Sequence, residues 1–338
     1  MDTSDSSGDL ALLAPKEEAQ DAMEAIIAAG RLDRKRKVLL RGGMVEIPVS
    51  GYLPGCIRQQ DPEFYRKTPT LEEILGDLLS GEEVELLPRG WAILGHTITV
   101  KIHPRLEGRR HLIGKALLEI YPRCRCVLWD KGIIGELREP CREVIAGSGP
   151  ETVHRENGVI FKLDPMRVMF SPGNMAERRR MGFLGKGERV VDMFAGIGYF
   201  SLPMAVHSRP ERICAIELNP VAFGYLEENI RLNGVEGIIV PVLGDCARLA
   251  PVAEADRVVM GLVGSTNRYL RQGIEALRPG GMLHYHQTVP SWLYPQALLD
   301  EVEGAASYLG RRLEVRGLVK VKKYAPGVVH GVVDAMIH

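Results

Sequence analysis

Five short apolar runs punctuate the second half of the chain: RVVDMF, RICAIE, IIVPVLGD, ADRVVMGLV and GGMLHYHQT. Segments of helical pattern separate them, at Gly198–His207, Pro220–Asn233 and Ser265–Arg278. Near-continuous β-branched runs alternating with helices are the mark of strands buried on both faces. They predict a doubly wound parallel sheet with helices on each side. Such a sheet binds ligands at the carboxyl ends of its strands, near the point where strand order reverses.

The first half reads differently. Apolar runs at Val38–Leu40, Met44–Val49, Trp91–Leu94, Thr97–Ile102 and Arg125–Leu128 are interleaved with helical patterns near Leu71–Leu79 and His111–Ile120. A short helix from Ala19 to Arg31 is expected to end at Gly30, and residues 1–20 read as a loose, disordered polar tail. The expected division is the tail (1–20), an α+β region (21–150) and a catalytic α/β domain (151–338), which 338 residues can accommodate. The opening MDTSDSSGDL is acidic and polar, unlike a signal peptide, and no apolar run approaches a membrane span. No membrane association is expected, and the location expected is cytoplasmic.

The carboxyl ends of the first three runs carry a ligand signature. The first ends in Asp192-Met-Phe194-Ala-Gly196-Ile-Gly198, where glycines let backbone approach a ligand before a helix begins. The second ends in Glu217-Leu-Asn219-Pro220; its carboxylate is placed to accept from both ribose hydroxyls, or else serves as a helix-start charge. The third ends in Asp245-Cys246, where an acceptor suits an adenine amine and the amide beside Cys246 a ring nitrogen. The simpler role for Asp245 is an N-cap. A glycine loop, a Glu and an Asp at successive strand ends form the pattern of a class I S-adenosylmethionine-dependent, Rossmann-like fold. A nicotinamide fold would carry a third glycine where Ser201 stands.

A wider set of motifs resembles one family. FSPGNMAERRRMG, VVDMFAGIGYFSLP, AIELNP with YLEENIRLN, and VKKYAPGVVHGVVDAMI are similar to the tRNA enzymes that act on the modified or unmodified guanosine at position 37. The resemblance extends back through VKIHPRLEGRRHLIGKALLE, GELREPCREVIAG and ENGVIFKLD. One branch methylates guanine N1 and shows Asn-Leu-Pro at the fourth strand end, with Arg after Phe-Ser-Pro. This sequence has Gly261-Leu262-Val263 and Gly173-Asn174 there. Both features resemble the branch that transfers the 3-amino-3-carboxypropyl group of S-adenosylmethionine to 4-demethylwyosine, in the wybutosine pathway.

What the resemblance implies is a donor site holding Ser171, Arg178, Asp192, Phe194, Gly196, Glu217, Asp245 and Cys246, and a tRNA(Phe) anticodon stem-loop as partner. Arg178 is expected to grip the donor carboxylate, Ser171 to add a hydroxyl bond, and Gly261 to loosen the turn so that the γ-carbon faces the base. Both reactions are direct displacements, so no metal is expected, and no residue is assigned as general base. Guanine-37 methylation and non-catalytic tRNA binding are the alternative functions.

Lys+Arg and Asp+Glu each number 43, so any RNA-binding surface must be local. Residues 101–150 carry ten Lys/Arg against six Asp/Glu, and Arg311–Lys323 six against one. Trp91, Trp129 and Trp292 read as buried anchors rather than base-stacking platforms. His284 reads as a core residue, with His286 a weaker candidate for lining the pocket. Cys124 and Cys126 read as free thiols on one strand face, and the scattered cysteines suit a reducing compartment.

Overall fold

The computed structural model describes residues 9–65, 68–135 and 139–338, and the chain divides into two units between Pro69 and Thr70. In the first unit β1 (Leu10–Pro15) and α1 (Ala19–Ala28) precede β2 (Leu39–Arg41), β3 (Met44–Pro48) and β4 (Cys56–Arg58). The sheet order is β2-β3-β1-β4, so β1 is an inner strand, antiparallel to both β3 and β4. This corrects the reading of residues 1–20 as a loose tail. LALLAP buries Ala11 and Ala14 and carries no charge, although residues 1–8 lie outside the described residues. Buried Arg36 secures the strand by donating to the carbonyl oxygens of Leu10 and Val49, at 2.9 and 3.0 Å.

The second unit begins with α2 (Leu71–Leu75) and α3 (Gly81–Glu85). Each opens with a reciprocal capping box, Thr70 with Glu73 and Ser80 with Glu83, which satisfies backbone groups that short helices leave bare. Next come β5 (Trp91–Leu94), β6 (Thr97–Val100), α4 (Arg110–Ile120), β7 (Cys126–Ile134) and β8 (Glu139–Gly147), in the sheet order β5-β6-β7-β8. Buried Ile113, Leu117 and Ile120 bring the apolar stripe of α4 onto Ile98, Val127 and Ile145 of that sheet. Cys124 precedes β7 instead of sharing its face with Cys126, and all six cysteines are free. Within GELREPCREVIAG, Glu136, Leu137 and Arg138 lie outside the described residues.

A hairpin of β9 (Thr152–Glu156) and β10 (Val159–Leu163), then α5 (Met175–Gly182), lead into the alternating region. There β11 (Arg189–Asp192), α6 (Ser201–His207), β12 (Arg212–Glu217), α7 (Pro220–Leu232), β13 (Ile239–Leu243) and α8 (Cys246–Leu249) form one half. The other half holds β14 (Ala255–Met260), α9 (Leu270–Ala276), β15 (Leu277–Pro290), α10 (Gln296–Tyr308), β16 (Leu313–Ala325) and β17 (Val328–Ile337). The sheet order is β13-β12-β11-β14-β15-β17-β16; the first five strands are parallel, and β17 and β16 add antiparallel. The expected parallel sheet is present, with one refinement. The segment expected as a helix from Ser265 to Arg278 is a short 3₁₀ turn at Thr266–Tyr269 followed by α9.

Apolar clusters cover both faces of this sheet, one around Phe200, Leu202 and Leu226, the other around Met260, Ile274 and Val302. Strand order reverses at β11, whose successors lie on opposite sides of it, and this leaves a crevice above the strand ends. Buried Asn229 of α7 ties the hairpin to that crevice. Its amide accepts from Lys162 N at 2.7 Å and donates to the carbonyl oxygens of Lys162 and Ile197, each at 3.1 Å. No described helix is long and apolar enough to cross a membrane.

Candidate active site

Above the ends of β11, β12, β13 and β14 lies a cavity of about 450 Å³, lined in part by Phe194, Gly196, Glu217, Asp245, Cys246 and Gly261. Six residues singled out from sequence therefore meet in one place, although they span 68 positions of the chain. The loop after β11 is shaped by backbone requirements. Gly196 has φ +57°, and a Cβ there would lie 2.2 Å from the Tyr199 ring, so only glycine fits.

Glu217 fixes this loop as well as lining the cavity. Its Oε2 accepts from Gly196 N and its Oε1 from Asn219 N, both at 2.7 Å. Burial raises the Glu217 carboxyl above its ordinary value, against these backbone bonds. Asp245 caps α8 by accepting from Ala247 N at 2.9 Å and also lines the cavity. Burial, with Asp245 beside it, pushes the Cys246 thiol up to about 12, so the thiol stays protonated.

Asp192 is a support beneath the site. It is buried, is not part of the cavity lining, and accepts from Ser201 Oγ at 2.7 Å and Phe194 N at 3.3 Å. This replaces the expected direct contact with the donor: the carboxylate pins both ends of the glycine loop from below. Burial lifts its carboxyl to about 6, the nearby Glu217 adding to the rise and the two hydrogen bonds opposing it. The native state thus keeps a proton that the unfolded chain releases near 3.8. Stability from this group is complete below that value and is lost as pH rises through 6. Unfolding measured between pH 4 and 6 should show the wild type losing on the order of 1–3 kcal/mol relative to Asp192→Asn. Parallel stability curves for the two proteins would refute this.

Arg178 and Ser171 also lie outside the cavity lining. The Arg178 guanidinium is buried and grips Glu156 bidentately at 2.7 and 2.6 Å. It also donates to the Ser171 carbonyl at 2.8 Å and rests 4.4 Å from the centre of the Phe170 ring. The Glu156 carboxyl sits at about 2: burial would raise it, but Arg178 and His154 outweigh that. Arg178 therefore ties α5 to β9 through Glu156. The Ser171 hydroxyl accepts from Lys322 Nζ at 2.8 Å.

At the fourth strand end, Gly261, Leu262 and Val263 line the cavity. Gly261 does not adopt a positive φ. A Cβ at this position would stand 2.7 Å from Phe200 Cε2, and the buried Phe200 ring in turn packs 5.0 Å from His286. The glycine is required here by close packing, not by a loosened turn. The loop is further held by Gly264 N donating to Gln287 Oε1 at 2.9 Å. His286 is fully buried behind Phe200, not in the lining, and burial lowers it to about 3. His284 joins a buried chain of polar contacts through Asp334 at 2.6 Å, and Asp334 in turn meets Arg180.

Other expectations change with the side-chain partners. In the basic stretch, Arg105 pairs with Glu82, Arg109 with Glu83, Arg142 with Asp130, and Arg110 and Lys131 share Glu143. Arg311 turns to the carbonyl oxygens of Ile274 and Leu277. Trp129 is buried and Trp91 meets Tyr121 edge-on, but Trp292 is 76% exposed and is no core anchor. Among the described residues no three His, Cys, Asp or Glu side chains gather as for a metal ion.

The model for the TRM5/TYW2 methyltransferase domain matches residues 152–315, and that for the TYW2 N-terminal domain matches residues 71–150. A tRNA(Phe) (4-demethylwyosine(37)-C(7)) aminocarboxypropyltransferase of Pyrococcus horikoshii is 38% identical over 80% of this chain and 96% of its own. The chain belongs to the TRM5/TYW2 family. The tRNA (guanine(37)-N(1))-methyltransferase Trm5b of Pyrococcus abyssi is 34% identical over 94% of this chain and 96% of its own. A crystal structure of P. horikoshii TYW2 in complex with MeSAdo superposes with a TM-score of 0.70 at 37% identity, covering 79% of this chain and 97% of that one. The fold is thus the S-adenosylmethionine-dependent type expected from the strand ends, with a smaller domain ahead of it. Sequence reasoning missed Arg167, Tyr199, Leu218, Arg268 and Tyr269 in the cavity wall. Of these, only Leu218, which directly follows Glu217, carried any signal in the strand-end pattern.

Proposed function

We propose that this protein transfers the 3-amino-3-carboxypropyl group of S-adenosylmethionine to C7 of 4-demethylwyosine at position 37 of tRNA(Phe), releasing 5′-methylthioadenosine. The observation that carries this reading is the strand tip Gly261-Leu262-Val263, without Asn or Pro, in the wall of a cavity that also holds Glu217 and Asp245. Glu217 has acceptor capacity left for the ribose hydroxyls, and Asp245 for the adenine amine. The bound sulfonium supplies an activated γ-carbon. C7 bonds to that carbon as its C–S bond breaks, the electron pair stays on sulfur, and the C7 proton is released. The chain's contribution is positioning within about 3–3.5 Å of in-line attack; no metal and no covalent enzyme adduct is required.

The anticodon stem-loop of tRNA(Phe) is the part that enters the site, with the base at position 37 splayed from its stack. The α+β part of residues 21–150 is assigned to tRNA recognition, and the cytoplasm is the location such a substrate implies. Methylation of guanine-37 N1 is the competing reaction, because a Trm5b methyltransferase aligns with more of the chain. Donor labelled at the carboxyl carbon, incubated with tRNA carrying 4-demethylwyosine, should deposit label in RNA. Label entering only from the methyl position would establish methylation instead, and none from either would leave tRNA binding alone.

A further inference from the structure

Asn229 and Asn233 stand four residues apart on α7, and together they pair with β10 as a neighbouring strand would. Ile160 N donates to Asn233 Oδ1 at 2.9 Å and Lys162 N to Asn229 Oδ1 at 2.7 Å. The two amide nitrogens donate back to the carbonyl oxygens of the same strand residues, at 2.7 Å for Ile160 and 3.1 Å for Lys162. Matching rises explain the fit. Four helical residues climb about 6 Å and two strand residues about 6.6 Å, so one amide per helical turn meets every second residue of the strand. The other edge of β10 pairs with β9, and without the asparagines its outer ladder would be bare.

The two asparagines differ in where the remaining N–H points. That of Asn233 returns to the Asn229 carbonyl within α7 at 2.7 Å, whereas that of Asn229 reaches the Ile197 carbonyl of the glycine loop at 3.1 Å. Asn229 is fully buried, and both of its amide protons are used. Each of its partners leads directly to the cavity. Ile197 follows Gly196, which is part of the lining. Lys162 runs into a tight turn in which Asp164 accepts from the N–H groups of Met166, Arg167 and Val168, and Arg167, Val168 and Met169 form another part of the lining. We propose that Asn229 is a positioning residue for the donor: its one amide fixes the distance between the glycine loop and the wall formed by Arg167, Val168 and Met169.

The inference rests on the donor-site reading above, and Asn233 is its control. Asn229→Ala and Asn233→Ala each remove three described hydrogen bonds, so both should lose stability to urea. Calorimetric titration with S-adenosylmethionine, without tRNA and well below either unfolding transition, separates them. Asn229→Ala should bind about tenfold more weakly than wild type, and Asn233→Ala within about twofold of it. Asn229→Asp serves as well if the alanine variant does not fold. A carboxylate there still accepts from Lys162 N, but it faces two carbonyl oxygens, and Lys162 Nζ is taken by Glu151 and Glu228. Burial without donors favours its protonated form. Its affinity relative to wild type should therefore recover as pH falls from about 8 to about 5.5, because the acid regains one O–H donor. Asn233→Asp should show no such recovery. Equal losses in the two alanine variants, unchanged affinity in Asn229→Ala, or a pH-independent deficit in Asn229→Asp would each overturn the assignment. If the wild type does not bind S-adenosylmethionine, the donor-site reading fails first and takes this one with it.

Discussion

Arg178→Ala should lose about 3–5 kcal/mol of folding stability, measured by urea unfolding at pH 7. The size follows from what stays behind. Glu156 is buried, and in the native protein its carboxylate takes two guanidinium bonds at 2.6 and 2.7 Å. Without Arg178 that charge keeps its desolvation cost and loses its main partner. The Ser171 carbonyl loses a donor in the same change, and the Phe170 ring loses the cation above it. Replacing both members of the pair, as Arg178→Met with Glu156→Gln, should restore most of the loss, because no buried charge is then stranded. The folded fraction of Arg178→Ala at low temperature should bind S-adenosylmethionine within about threefold of wild type. A variant of native stability but weak donor binding would return Arg178 to the donor site and remove it from the scaffold.

The second large effect is expected at Glu217. Glu217→Ala should weaken S-adenosylmethionine and 5′-methylthioadenosine alike, by about a hundredfold or more. Two losses combine. The ribose loses its charged acceptor, a contact worth about 1.5–3 kcal/mol. The glycine loop loses the tether between Gly196 N and Glu217 Oε2, so the backbone that approaches the ligand is no longer fixed. Loss for both ligands marks a contact with the nucleoside they share, not with the amino-acid arm that only S-adenosylmethionine carries. Titration of the two ligands against the one variant reads the difference; unaltered affinity for 5′-methylthioadenosine would exclude Glu217 from the ribose site.

The parallel sheet was readable from sequence because strands buried on both faces need no polar alternation. RICAIE coincides with β12 residue for residue, and ADRVVM with β14. The cavity positions of Glu217 and Asp245 were readable for a related reason: strand ends are fixed points, and a carboxylate there has few structural uses. What sequence could not convey was which partner each charge would find. Glu156 lies 22 positions before Arg178, and only the packing of α5 against the hairpin shows that the pair is closed. Arg268, in the cavity wall, was missed because it stands in an irregular turn with no periodic signal. β1 was missed because the polar residues around LALLAP dominated its window, while its pairing partners lie 29 to 48 residues later.

That pairing bears on where the polypeptide can be shortened. An N-terminal deletion reaching residue 20 would look harmless if the segment were a tail, yet it would withdraw the strand between β3 and β4. Two newly bare ladders would then face each other, and open ladders recruit strands from other molecules. Arg36 would lose its Leu10 acceptor as well. Material trimmed in this way should self-associate or be degraded by proteases, and a poor yield from it would say nothing about the transferase domain.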